Sequence, residues 1–155
     1  MTEETTRLAP GDPVPDFDLP ASGGRRVSLA ALRGKAFVLY FYPKADTSGC
    51  TQEAKAFQEL LDGSVSVVGV SKDPMKAIDA FAQKYALSFP LASDETGALL
   101  EAAGVWVEKS MYGKRYMGIE RTTYLIGPDG RVAQAWNKVK VPGHAAAVME
   151  ALKAL

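Results

Sequence analysis

Cys50 is the single cysteine of the 155-residue chain. It stands in Phe41-Tyr42-Pro43-Lys44-Ala45-Asp46-Thr47-Ser48-Gly49-Cys50-Thr51-Gln52-Glu53, where an apolar run gives way to a helical pattern. A helix starting near Gly49 puts Cys50 in its first turn, where unpaired backbone N–H groups and the positive end of the helix dipole favour an anion. A thiolate is such an anion, and it is the nucleophilic form of cysteine. A lone cysteine inside a strand would read as a small buried hydrophobe; a strand-to-helix turn reverses that reading. Thr47 occupies the place of the first cysteine in a C-x-x-C pair, so the chain has no internal dithiol and its chemistry is that of one thiolate.

Other chemistries fail on the residues. A cysteine phosphatase needs arginine six positions after the nucleophile, where this chain has Ala56. A cysteine hydrolase needs a base, and the one histidine, His144, opens the last helix, where it reads as a capping or packing residue. One Cys and one His are too few for a zinc site. Gly34-Lys35 lacks the glycine five positions earlier that a phosphate loop needs, Leu29 standing there. Asp16 and Asp18 alternate in a short edge strand facing water, without a cleft for acid–base work. No cofactor and no metal is expected.

The elements that must hold Cys50 follow from periodicity. Ala36 to Tyr42 is an apolar run of strand length ended by Pro43. Ala54, Phe57, Leu60 and Leu61 recur at helical spacing, with Asp62-Gly63 as the stop. Upstream, residues 1–6 read as a tail, Asp16 to Leu19 and Val27 to Leu29 as short strands around the Ala21-Ser22-Gly23-Gly24 turn, and Leu29 to Arg33 as one helical turn. Downstream, Val65 to Val70 reads as a buried parallel strand, and Asp73-Pro74 as the cap of a helix with Ile78, Phe81, Ala82 and Tyr85 inward. A further helix is expected from Ser93 or Asp94 through Ala103. Val105 to Glu120 mixes Trp106, Tyr112, Tyr116 and Met117 with Lys109, Lys114 and Arg115 without a clear period, and is expected to be a loop or flap packing aromatics under cations. Arg121 to Ile126, the turn Gly127-Pro128-Asp129-Gly130 and Arg131 to Trp136 form a hairpin. A final helix from Pro142-Gly143-His144 turns Ala147, Val148, Ala151 and Leu155 inward.

This order predicts one domain over 1–155, with an α/β, thioredoxin-like fold: a mixed central sheet flanked by helices, with extra N-terminal strands. Lys plus Arg and Asp plus Glu both number 18, so the formal charge is zero and no long-range field would gather nucleic acid or an anionic membrane. A cytoplasmic protein acting on a small, nearly neutral molecule is expected, since the acidic start carries no apolar leader.

Pro43, Thr47 and Cys50 form P-x-x-x-T-x-x-C, which resembles the peroxiredoxin signature. Tyr40 to Lys44 with Thr47, Gly49, Cys50, Thr51 and Glu53 is similar to the peroxiredoxin Q, or bacterioferritin comigratory protein, subgroup. The resemblance runs from about Leu8 to Leu155. It implies a thiol peroxidase in which Cys50 attacks the O–O bond of hydrogen peroxide or an organic hydroperoxide. Donors must then be fixed around both oxygens, and Thr47 can supply one hydroxyl. The resemblance further assigns the fixed cation to Arg121, shielding of the sulfur to Pro43, and orientation of the arginine to Glu53. A surface ion pair of Arg121 with Glu120 or another carboxylate and an ordinary exposed Glu53 are the bland alternatives.

Many members of the subgroup carry a resolving cysteine five residues after the peroxidatic one, where this chain has Lys55. The expected form is therefore a one-cysteine monomer whose sulfenate is reduced by an external thiol (a thioredoxin, a glutaredoxin or a low-molecular-weight thiol) or captured by a second chain in a Cys50-linked dimer. A redox sensor or binding protein of the same fold, in which Cys50 reacts without turnover, is the competing reading.

Overall fold

The computed structural model describes residues 7–60 and 66–155; the N-terminal tail, the Leu61 and Asp62-Gly63 helix end and Val65 lie outside them. The centre is β3 (Phe37–Phe41), every residue of which is buried. It pairs in parallel with β4 (Ser66–Ser71) and antiparallel with β8 (Thr122–Ile126). Burial on both faces explains the unbroken apolar run. β4 continues in parallel to β5 (Leu91–Ser93), β5 meets β1 (Asp18–Ala21), β1 meets β2 (Arg25–Ser28), and β8 is followed outward by β9 (Val132–Trp136). The result is a mixed seven-stranded sheet, β2-β1-β5-β4-β3-β8-β9, carrying the expected N-terminal extension. β1 is interior rather than an edge strand, because Ala21 pairs with Ala92 on its far side.

Alternation along β3 divides the core. Phe37, Leu39 and Phe41 face a cluster with Val68, Val70, Tyr124 and Ile126, covered by α1 (Leu29–Leu32) and α4 (Ala98–Ala102). Val38, Tyr40 and Tyr42 face the other cluster, covered by α2 (Ser48–Leu60), α3 (Met75–Lys84) and α5 (His144–Lys153). On α2 the buried residues are Cys50, Glu53, Ala54 and Phe57, the one-face spacing of an amphipathic helix. A carboxylate thus holds a core position.

Gly69 on β4 lies opposite Tyr40, whose ring runs across it. A Cβ at 69 would sit 2.8 Å from Tyr40 Cζ and from Leu91 Cδ2, closer than packed carbon atoms approach. Gly69→Ala is therefore expected to cost about 1–3 kcal/mol through overpacking. An unchanged urea midpoint would show that the Tyr40 ring is free to yield.

Several expectations need correction. The helix expected from Ser93 or Asp94 begins only at Ala98, because Ser93 belongs to β5 and Gly97 turns the chain at φ +79°; the Asp94 carboxylate accepts a hydrogen bond from the Leu100 amide instead (2.9 Å). The Asp73 side chain does not cap α3. It accepts from the Ala45 amide at 2.7 Å and the Ser71 hydroxyl at 2.8 Å. Val105 to Glu120 is not a loop: β6 (Trp106–Met111) and β7 (Lys114–Ile119) form an antiparallel hairpin about Tyr112-Gly113, both at positive φ, as a two-residue turn between twisted strands requires. On α5 the inward residues are His144, Ala145 and Val148, while Ala147 and Leu155 are exposed. No helix among the described residues is long and apolar enough to cross a membrane.

Candidate active site

β3 delivers the chain to Pro43, which is half-buried, and an exposed polar turn leads into α2. Two anchors fix that turn. Asp73 receives the Ala45 amide, and Asp46, in the left-handed region at φ +61°, accepts from Tyr85 Oη (2.7 Å) and Lys84 Nζ (3.0 Å) on the far end of α3. The Tyr85 hydroxyl first and then the Lys84 ammonium hold the Asp46 carboxyl below its ordinary pKa. Neither anchor was recognised in the sequence. Both are contacts made 28 residues or more along the chain, and only the left-handed tolerance of aspartate in turns hinted at Asp46.

Cys50 occupies the third residue of α2 and is 2% exposed. Arg121, immediately before β8, reaches it across the β3–β8 pair: Nη2 donates to Cys50 Sγ at 3.2 Å, while Nη1 donates to Glu53 Oε1 at 2.7 Å. Cys50 and Glu53, three apart on one helix face, thus share a single guanidinium fork. Gly49 permits the approach, since a Cβ there would be 3.3 Å from Arg121 Nη2. Glu120 does not compete for Arg121; its side chain pairs with Arg7.

The electrostatics follow from burial. Desolvation works against the charge of Arg121, but the carboxylate of Glu53 and the sulfur of Cys50 outweigh it and raise its pKa. Glu53, 1% exposed, is pushed up to about 7 by desolvation, with Arg121 pulling the other way. Its second oxygen has no hydrogen-bond partner among the described residues. A buried set of one cation and two acids is best balanced with one acid neutral. Burial thus draws Glu53 toward its neutral form, which leaves more of the positive charge of Arg121 to the sulfur.

Thr47 is exposed, and its hydroxyl donates to the Lys44 carbonyl at 2.8 Å; aiming that proton at a bound molecule requires exchanging this bond. His144 takes no part in the fork's hydrogen bonds. Its ring stands edge-on to Phe57 and Trp136, shares a 2.8 Å bond with Thr123 Oγ1, and is held neutral, its pKa lowered to about 4 by burial and by Arg121.

Comparison with known proteins gives a family to the chain that holds this arrangement, a buried sulfur under one arm of a fixed guanidinium at a strand-to-helix turn. A profile described as the AhpC/TSA family matches residues 10–135. The chain belongs to that family of peroxiredoxins. Peroxiredoxin Bcp of Xanthomonas campestris is 49% identical over 160 residues, covering 99% of this chain and 98% of that one. Peroxiredoxin Bcp of Escherichia coli is 39% identical over 150 residues, covering 94% and 96%. Among solved structures, a cysteine-to-serine mutant of Xylella fastidiosa PrxQ superposes with a TM-score of 0.90 at 40% identity, covering 96% of this chain and 98% of that one. As a peroxiredoxin of the Bcp/Q kind the chain is a thiol peroxidase, with a peroxide as substrate and a thiol as reductant. The thioredoxin-like architecture read from the sequence is the family's. The Xanthomonas protein has been solved with either of two different cysteines changed to serine; this chain has one cysteine in all.

The neutralised state of Glu53 carries a pH signature. Its folded pKa, about 7, is above the unfolded 4.5, so its contribution to stability is fully present below pH 4.5 and is lost as pH rises through 7. Glu53→Gln should abolish that loss. The variant should gain on the parent by up to about 3 kcal/mol between pH 4.5 and 8, read as the difference between two denaturation series. His144 titrates with the opposite sign between about 4 and 6.5 and cancels in that difference. A flat difference would show Glu53 ionised throughout.

Proposed function

We infer that the chain is a one-cysteine peroxidase for hydrogen peroxide and organic hydroperoxides, with Cys50 as nucleophile, Arg121 and Thr47 as donors to the peroxide, Pro43 as shield and Glu53 as the group that positions Arg121. The observation that carries this is the Arg121 fork, one arm on Cys50 and the other on Glu53. The Cys50 thiolate attacks the terminal oxygen of R–OOH; the S–O bond forms as the O–O bond breaks, leaving Cys50–SOH and RO⁻, which takes a proton from water. Arg121, charged at any working pH, offers N–H groups to the oxygen on which charge develops. Support for organic hydroperoxides comes from a relative, the Xanthomonas campestris bacterioferritin comigratory protein, studied for alkyl peroxide reduction activity.

With no second cysteine, an external thiol R′SH condenses with the sulfenate, releasing water and forming Cys50–S–S–R′. A second R′SH frees the Cys50 thiol and leaves as R′SSR′. A reducing cytosol, which supplies such thiols and keeps a lone cysteine reduced, is the setting that fits. Because the sulfur is buried, the reductant needs the turn before α2 to open. One equivalent of peroxide should add one oxygen to the intact mass, and addition of glutathione, a glutaredoxin or a thioredoxin should remove it within the turnover time. The burial of Cys50 favours the sensor reading in one outcome: an oxidised form that every thiol leaves intact would mean Cys50 reports peroxide without turnover.

A further inference from the structure

The turn before α2 and the end of α3 meet, and they are held with unequal firmness. The α3 end is fixed. Tyr85 closes that helix with its amide on the Phe81 carbonyl (3.3 Å), Ala86 turns the chain at φ +52°, and the Leu87 amide returns to the Ala82 carbonyl at 2.9 Å with the Leu87 side chain buried. The Tyr85 ring stands edge-on to Phe81, 5.6 Å between centroids, and packs against the cluster that contains Cys50. The turn has less to hold it. Lys44, Asp46, Thr47 and Ser48 are exposed, and among the described residues its polar links to the rest of the fold are the Ala45 amide on Asp73 and the Asp46 carboxylate on α3.

Tyr85 is the joint of that contact. Its hydroxyl donates to Asp46 Oδ1 at 2.7 Å while Lys84 Nζ donates to Oδ2 at 3.0 Å, so both oxygens of the carboxylate are engaged from α3. The same ring has the ammonium of Lys84 5.3 Å from its centroid, and that of Lys55 5.3 Å away as well. Lys55 stands on α2 five residues after Cys50, so the ring that holds the turn also holds the second turn of the helix that carries the sulfur. Asp46 is at φ +61°, a left-handed conformation that aspartate tolerates at some cost and that the two bonds to α3 maintain. Opening the turn breaks both bonds and releases that strain, and it asks nothing of α3 or β3.

We propose that Tyr85, with Lys84, is a positioning residue of the reductive half of the cycle: its hold on Asp46 sets how often the turn before α2 opens, and hence how fast a thiol reaches the oxidised Cys50. Hydrogen peroxide meets Cys50 in the closed form, where Arg121 already lies on the sulfur. A thiol must bring its own sulfur into line with a side chain that is 2% exposed in that form, and condenses with the sulfenate, releasing water, only once the turn is open. While the open form is the minor one, loosening the contact multiplies its population and leaves the closed form nearly whole, so the two half-reactions respond differently. For turnover this rests on the peroxidase reading of Cys50; the opening itself does not.

Tyr85→Phe tests this, because it keeps the ring and its packing on Phe81 and removes only the hydroxyl bond to Asp46. Reduction of the Cys50 sulfenate by glutathione, and alkylation of the reduced Cys50 by a fluorescein maleimide, should both rise by about three- to tenfold, the effect of one hydrogen bond at the surface. Oxidation by hydrogen peroxide should stay within about twofold of the parent, since the closed form is hardly depleted. Amide exchange should quicken over residues 44–52 and stay unchanged in β3. Lys84→Met should act in the same direction by a smaller factor, and added salt should shrink its difference from the parent. Equal alkylation and equal exchange in Tyr85→Phe would overturn the proposal. So would a peroxide rate that changes in step with the other two, which would make Tyr85 a support of the whole site. A parent sulfenate that no thiol reduces would instead remove the turnover reading, with alkylation and exchange still deciding whether Tyr85 holds the turn.

Discussion

Cys50→Ser should abolish hydroperoxide consumption, by about 10⁴-fold or more, the scale on which loss of a nucleophile is felt. The substitution changes little in shape, and Arg121 Nη2, 3.2 Å from the sulfur, can donate to the serine hydroxyl. Folding should therefore be nearly unaffected, with a stability change of about 1 kcal/mol or less. What is lost is the nucleophile: a hydroxyl does not ionise beside one guanidinium as a thiol does, and an alcohol does not attack the O–O bond at neutral pH. Because the chain holds no other cysteine, no second thiol can supply a slow residual route. The measurement is peroxide loss in metal-free buffer with excess thiol, beside a denaturation curve. A folded variant that still consumes peroxide at the parent rate would remove Cys50 from the mechanism.

The parts of the site that depend on one segment were legible in the sequence, and those assembled across the sheet were not. The Ala36 to Tyr42 run and the helical spacing of Ala54, Phe57 and Leu60 carry their own periods, so β3, α2 and the junction bearing Cys50 could be placed, although Leu60 is exposed and the buried stripe runs through Cys50 and Glu53 instead. Arg121 was nominated only through resemblance, since its reach to Cys50 depends on the antiparallel pairing of β3 with β8. The same holds for Asp73, whose place before a helix suggests a cap but whose carboxylate is taken by the Ala45 amide. The β6–β7 hairpin escaped because neither of its faces is uniformly apolar: one joins lysines to Tyr116, the other Glu108 and Arg115 to Trp106. Period two was present without the hydrophobic alternation that announces it, and Tyr112 stood where a hairpin turn more often has asparagine. On α5 the error was one of phase. An alanine-rich helix offers several nearly equivalent apolar stripes, and the buried ring of His144 selected the one through Ala145 and Val148.

Arg121→Ala should lower the rate of Cys50 oxidation by about 10²–10³-fold, the cost of one preorganised donor to developing charge. Arg121 serves two acids. Its removal leaves Glu53, 1% exposed and bonded among the described residues to Arg121 alone, without that partner. Breaking a buried pair commonly costs about 3–5 kcal/mol, but a carboxyl already poised near pH 7 escapes most of that by staying protonated. The destabilisation should accordingly be small below pH 7 and grow above it. Arg121→Ala combined with Glu53→Gln separates the two effects: the pH-dependent destabilisation should vanish while the loss in rate remains, the non-additivity measuring the coupling. Arg121→Lys keeps the charge but not the fork, and one ammonium on a flexible stem replaces two N–H groups fixed in a plane; its rate should fall between parent and alanine. Stopped-flow oxidation and thiolate absorbance, followed across pH in the parent, Glu53→Gln, Arg121→Ala, the double variant and Arg121→Lys, read rate and charge separately. If Arg121→Ala matched the parent in both, the guanidinium would be holding Glu53 in place and nothing more, and the cation that acts on the peroxide would have to be sought elsewhere around the turn.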